Sequence, residues 1–387
     1  MQPITQSRSR IASIDILRGI IMVIMALDHV RDYFTIARFD PTDLSQTTPA
    51  MFFTRWITHI CAPTFMFLAG TGSFLYGAKR TKPELSRFLF TRGLFLVILE
   101  FTLVTLALQF NFSFNLLIAL VFWSIGMSMI FLAAMIWLPN KILLAVSLLM
   151  ILLHNTTDNI SPESFGSFSW LWNVLHVRGF IPFSETSGLV IGYPLIPWIG
   201  VIGAGYAFGQ CFLWEPKKRS RFFVQLGLTL IGLFILVRGL NVYGDPMPWT
   251  TQKSSLYTLL SFLDTAKYPP SLSFLLMTIG PAILLLGLLE NAKGSFANFF
   301  SVYGKVPLFY FLLHFYLIHL ISIFAGMAQG FKATDFLHIS DSYPKEYGFG
   351  LPGVYLFWAL IVLLLYYPCK WYGNLKARSK NPLLSYI

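Results

Sequence analysis

An all-α bundle of about ten transmembrane helices is the fold class this 387-residue sequence predicts, and three observations carry the prediction. Hydrophobic residues make up 56% of the chain and charged residues only 12%, about half the charge fraction of a soluble domain. Apolar runs long enough to cross a bilayer recur along the whole length,. Lys and Arg gather in short stretches between those runs, as they do in the cytoplasmic loops of multi-pass proteins. The net charge of +11 therefore reads as a topology signal, and nucleic acid is not an expected partner. With no separable soluble region, repeat or low-complexity tract, residues 1–387 form one integral domain.

The 20-residue rule places spans at 13–35, 57–78, 88–110, 114–138, 140–154, 187–213, 221–243, 270–290, 301–327 and 349–371,. The first, IASIDILRGIIMVIMALDHVRDYF, is too long and too charged for a cleaved signal peptide,. The second, in RWITHICAPTFMFLAGTG, sets His59, Pro63 and Gly70 on one face, with Gly70 permitting a close helix approach,. The third carries an intramembrane acid, Glu100, which pairs with an arginine such as Arg18 or Arg92. The fifth is short for a bilayer, and charge parity retains it. Ten spans with both termini inside put Arg8 and Arg10, the 79–87 cluster, the 217–221 cluster and Lys370, Lys376, Arg378 and Lys380 all in the cytoplasm,. Without the fifth span the second cluster would lie outside. The ninth, in YGKVPLFYFLLHFYLIHL, sets Tyr303, Pro307, Tyr310 and His314 on one face, with His319 directed elsewhere and structural. Segments 155–186 and 244–269 then face outward. They are rich in aromatic and polar residues, which suits a sugar or an amphipathic ligand as well as a membrane-interface belt.

The first span is the most informative. At 100° per residue, Asp15, Arg18, Met22, Met25, His29 and Asp32 fall on roughly one third of the helix surface, with Asp28 at its edge and Arg31 off it,. Ionisable groups at membrane depth are costly, so a stripe of four points to a site rather than to packing. A histidine with a carboxylate one turn away is the minimal general-base unit, and His29 with Asp32 has that spacing,. His59 and His314 are the other candidates for the base. The three cysteines, Cys61, Cys211 and Cys369, show neither metal-ligand spacing nor a disulfide framework,. No metal is expected. No phosphate-binding glycine loop, HExxH or GxSxG motif is present,.

The opening SIDILRG, continuing to LDHVRDY, resembles the first helix of bacterial membrane proteins related to heparan-alpha-glucosaminide N-acetyltransferase, within a broader transmembrane acyltransferase superfamily. RWITHICAPTFMFLAG, GYPLIPWIGV, YPPSLSFLLMTIGP and GKVPLFYFLLH resemble the same group. The resemblance implies a multi-pass protein of the inner or plasma membrane, in contact with its lipids. It further implies transfer of an acetyl group from cytoplasmic acetyl-CoA to a hydroxyl or amine of an extracytoplasmic acceptor, a glycan or other cell-envelope component. In the lysosomal enzyme a catalytic histidine precedes the second helix. This chain has none between Ala37 and Ile57, and His29 and His59 are the nearest. On this reading His29 is the base, Asp32 orients it, and Arg18 with Asp15 belongs to the donor site, Arg18 lying about 16 Å along the helix from His29. A transporter or flippase with a polar first-helix pathway, and a scaffold in which the stripe is interhelical glue, are the rival classes.

Overall fold

A computed structural model describes residues 11–379. Arg8, Arg10 and Lys380 of the expected cytoplasmic clusters lie outside the described residues. The principal helices are α1 (Ala12–Phe34), α2 (Pro49–Gly77), α3 (Lys82–Gln109), α4 (Val121–Met135), α5 (Asn140–Thr157), α6 (Ser169–Leu175), α7 (Ile196–Leu213), α8 (Pro216–Leu240), α9 (Ser255–Leu263), α10 (Leu272–Asn291), α11 (Ser295–Gly304), α12 (Pro307–Ala328) and α13 (Leu351–Arg378). Eight of them, α2, α3, α5, α7, α8, α10, α12 and α13, are long and apolar enough to cross a membrane. The charged α1, at 23 residues, has the length, and the 15-residue α4 is apolar but shorter. Together they make the ten expected spans.

α1 is the central element, packed against α2, α11, α12 and α13. Around it α2 pairs with α7, α3 with α4, α5 with α7, and α8 with α10. The close approach expected at Gly70 is realised, since a Cβ there would collide with the Ile202 carbonyl. Helix starts follow local chemistry. Thr81 and Glu84 form a reciprocal capping box at α3, and Ser271 caps α10 by accepting from Phe274 N at 3.0 Å,.

All the described basic clusters meet at one end of the bundle. Ile11, Lys79, Arg80 and Arg219 border one cavity there, and Lys376 of α13 borders a neighbouring cavity together with Arg18. The short α5 crosses the bundle fully. At its start Trp137 donates to Ser86 near the basic end. At its far end Tyr243 donates to Leu152 O and Leu272 N donates to Asn155.

Three expected spans change shape. Residues 114–120 are not helical: Leu116–Ala119 form strand β1 before α4 begins. The 187–213 stretch likewise opens as strand β3 (Gly188–Ile191). With β2 (Gly179–Pro182) they make a small sheet ordered β1-β3-β2, β1 parallel and β2 antiparallel to β3. The β-branched and aliphatic runs at 116–119 and 188–191 read as membrane helix in sequence because an apolar run does not reveal its period. The ninth span is two helices, α11 and α12, because Val306, held out of the helical region before Pro307, does not continue the first,.

Candidate active site between two linked cavities

The α1 stripe lines a row of three cavities. The first, at the basic end, has a volume of about 1070 Å³ and is bordered by Asp15, Arg18, Tyr76 and Arg219. The middle cavity, about 320 Å³, shares Arg18, Gly72 and Tyr76 with it and reaches up to Met22. The far cavity, about 440 Å³, is bordered by Met25, Asp28, His29 and Asp32. Phe65, Val121 and Phe311 border both the middle and the far cavity and form the partition between them.

The middle cavity is apolar over most of its wall but is bordered by four basic residues, Arg18, Arg92, Lys305 and Lys376, and among the described residues by no carboxylate. Arg18 is fixed from two sides: Nη1 donates to Gly304 O at 3.2 Å and lies 3.6 Å from the Asp15 carboxylate. Gly304 is required there, since a Cβ would strike the α1 backbone at Asp15. Such a pocket fits a ligand with an anionic head and a long uncharged arm.

The far cavity is polar. Asp28 is buried and gripped by Arg55 Nη1 at 2.5 and 2.6 Å, with Arg31 Nη1 at 2.9 Å. Arg31 in turn bonds Asp32 at 2.5 Å. The pairing expected between His29 and Asp32 is therefore not a hydrogen bond here; the arginine that sequence placed off the stripe takes the Asp32 carboxylate. Tyr33, Tyr193, Tyr268, Arg178 and Lys267 complete the wall, with the Arg178 guanidinium 4.6 Å from the Tyr268 ring centre.

The sequence-selected histidines separate clearly. His29 borders the far cavity and packs against Phe315 at 4.2 Å and His314 at 5.3 Å between ring centres. His314 is fully buried behind it, with Nδ1 2.5 Å from Phe311 O and Nε2 without a hydrogen-bond partner. A carbonyl only accepts, so Nδ1 holds the proton and a neutral ring presents a bare Nε2. His59 is buried against Phe274 and borders neither of these cavities, although its neighbours Thr58 and Cys61 do border the far one. His319 sits between the Ala107 and Phe336 carbonyls at 2.8 and 2.7 Å and stacks on Phe110, a structural placement.

Glu100 pairs with neither Arg18 nor Arg92. Its Oε2 accepts from Phe122 N at 2.7 Å and Trp123 N at 2.9 Å, capping α4, while the buried Oε1 lacks a partner and the residue borders the far cavity. A helix start has unpaired N–H groups and positive potential, which serves a buried carboxylate as a guanidinium would. Sequence reasoning also missed Arg55 and Lys267. Only Arg55 left a signal, as a cation beside the second span with no acid near it in sequence.

A family model described as heparan-alpha-glucosaminide N-acetyltransferase, catalytic, matches residues 10–243, from the start of α1 to just past α8. That stretch holds Asp15, Arg18, His29, Arg55, His59, Arg92 and Glu100; His314, Lys267, Lys305 and Lys376 lie beyond it. No curated protein matches the chain.

Proposed function

The chain belongs to the heparan-alpha-glucosaminide N-acetyltransferase catalytic family, and from that premise we propose that it transfers an acetyl group across a membrane, from acetyl-CoA bound at the basic end to a glycan or other envelope acceptor in the far cavity. The observation that carries the proposal is the partition. One ionisable helix face borders both a pocket lined by four basic residues and a mixed polar one, with His29 on the far side of Phe65, Val121 and Phe311.

The nucleotide phosphates of the donor belong near Arg18, Arg92, Lys305 and Lys376, and its uncharged arm fits the apolar wall leading to the partition. The acceptor hydroxyl or amine attacks the thioester carbon from the far cavity. His29 takes the acceptor's proton as the C–O or C–N bond forms, then returns it to the leaving thiolate as the C–S bond breaks. Asp32, held by Arg31, and Asp28, held by Arg55, keep a carboxylate field beside the imidazolium that forms,. His314 Nε2 stands behind His29 as a second proton acceptor. Tyr33, Tyr193 and Tyr268, with Arg178, offer the aromatic faces and donors that suit a sugar. By the charge rule the basic end is cytoplasmic.

The row of cavities from end to end also favours a transport pathway. One experiment separates the two. Purified protein is incubated with labelled acetyl-CoA and cell-envelope extract, and the labelled product is identified. Acetyl on an envelope component supports transfer; movement of a solute across vesicles with no need for a donor replaces it with transport.

A further inference from the structure

Beyond the far ends of the spans, and bordering none of the three cavities, lies a second cluster of ligating groups. His154 opens the last turn of α5, Asp158 follows that helix, and His176 closes the short helix α6. One nitrogen from each histidine and one Asp158 oxygen all lie within 4.8 Å of one another. Both rings are buried, His154 at 4% and His176 at 0% exposure. His176 Nε2 lies 3.1 Å from Asp158 Oδ1 and 3.2 Å from the Thr157 hydroxyl. The remaining three ring nitrogens, both of His154 and Nδ1 of His176, have no hydrogen-bond partner.

Interior packing does not explain that arrangement. Buried imidazole nitrogens are ordinarily paired, and three unpaired ones in two touching rings leave strong donors and acceptors with nothing to meet. A cation with imidazole and carboxylate ligands supplies what is missing. Two ligands about 2.0 Å from a tetrahedral ion are about 3.3 Å apart, close to the 3.1 Å between His176 and Asp158. The His154 ring, which no hydrogen bond holds, closes the set by turning. Trp172, 5.0 Å from His176 between ring centres, shields one side. Asn155 donates to the other Asp158 oxygen at 2.8 Å, the outer contact that orients a ligating carboxylate,.

We propose that His154, Asp158 and His176 bind one zinc ion, with water as the fourth ligand, and that the ion fastens the 158–176 segment to the end of α5. Two imidazoles and a carboxylate suit zinc, and no thiol is in the cluster. The consequence reaches the far cavity. Arg178 lies two residues after His176, and β2 begins immediately after Arg178. The staple thus fixes the Arg178 guanidinium, which borders the proposed acceptor site, and the strand β2 that pairs with the cavity-lining β3.

The test needs no transfer activity, so it stands apart from the proposed reaction. Full-length protein in detergent, with any purification tag cleaved off, is stripped by chelator, reloaded with zinc, freed of excess and assayed for bound metal. About one zinc per chain is expected, with a higher Tm than the stripped protein. Cobalt in its place should give the intense visible band of a four-coordinate site. His154→Ala and Asp158→Asn should each weaken binding at least about tenfold, as loss of one ligand of three implies, while His338→Ala, at an exposed histidine outside the cluster, should leave it unchanged. If a variant fails to fold, the stoichiometry and cobalt spectrum of the unaltered protein still decide. Absence of retained zinc, a six-coordinate cobalt spectrum, or zinc that persists equally in the variants would each overturn the site.

Discussion

His29 on α1 and His314 on α12 face each other with ring centres 5.3 Å apart and planes inclined by 51°. His314 gives its Nδ1 proton to the Phe311 carbonyl at 2.5 Å, so its other nitrogen is a buried acceptor behind the one histidine that borders the far cavity. The pair brings together two helices far apart in sequence, at the level of the partition.

Replacing His29 tests the base. His29→Ala should fold and bind coenzyme A while transfer falls by about two to four orders of magnitude, the usual cost of losing a general base. His314→Gln should cost less and shift the pH profile of transfer, because it acts through His29. Single-turnover transfer with labelled acetyl-CoA reads both. Near-normal turnover in His29→Ala alongside loss in His59→Ala would move the chemistry to α2.

Coenzyme A should raise the Tm of the purified protein by mass action on the folded state. Arg18→Ala removes one of four cations from the middle cavity and should shrink that shift. A tenfold weaker affinity corresponds to about 1.4 kcal/mol less stabilisation at saturating ligand. An unchanged melting temperature at millimolar coenzyme A would count against a donor site there.

Phe65 borders both cavities and is only partly buried, so shortening it opens the partition with little risk to the fold. Phe65→Ala should raise acetyl-CoA hydrolysis in the absence of acceptor and lower the fraction of acetyl reaching product. Released coenzyme A, measured as free thiol, gives the ratio. An unaltered ratio would show that the aromatic partition does not exclude water from the thioester.

Glu100 should matter for stability before it matters for rate. Glu100→Ala leaves the Phe122 and Trp123 amides without an acceptor inside the bundle, at a cost of about 2 kcal/mol, and Tm should fall by several degrees. Glu100→Gln keeps a carbonyl oxygen for the cap and should stay close to the parent. Equal melting temperatures for all three proteins would remove the capping role.

Asp264 lies in the outward 244–269 segment. Its carboxyl is pushed up to about 6 by burial first, then by the nearby Asp40 and Asp245 carboxylates. The folded protein therefore holds this proton more tightly than the unfolded chain, whose carboxyl titrates near 4. Stability from this group is present below about pH 4 and is lost as pH rises through about 6. Asp264→Asn should raise Tm at pH 7.5 relative to the parent and leave it little changed at pH 4. A uniform shift across that range would mean that the charge is not responsible.

The sequence by itself determined the ten-span bundle, the gathering of the basic clusters at one end and the ionisable stripe on α1, because hydropathy and helical period are local properties of a chain. That same locality is why the 116–119 and 188–191 strands were hidden: a short apolar run packs equally well into a helix or a sheet. Only the tertiary structure decided the partners. Asp28 goes to Arg55 across two helices, Asp32 goes to Arg31 rather than to His29, Glu100 goes to the start of α4 rather than to an arginine, and His59 turns away from the cavity that its neighbours border. A buried charge is stabilised by whatever opposite potential the packing brings within a few ångströms, and in a bundle those neighbours come from helices tens or hundreds of residues away.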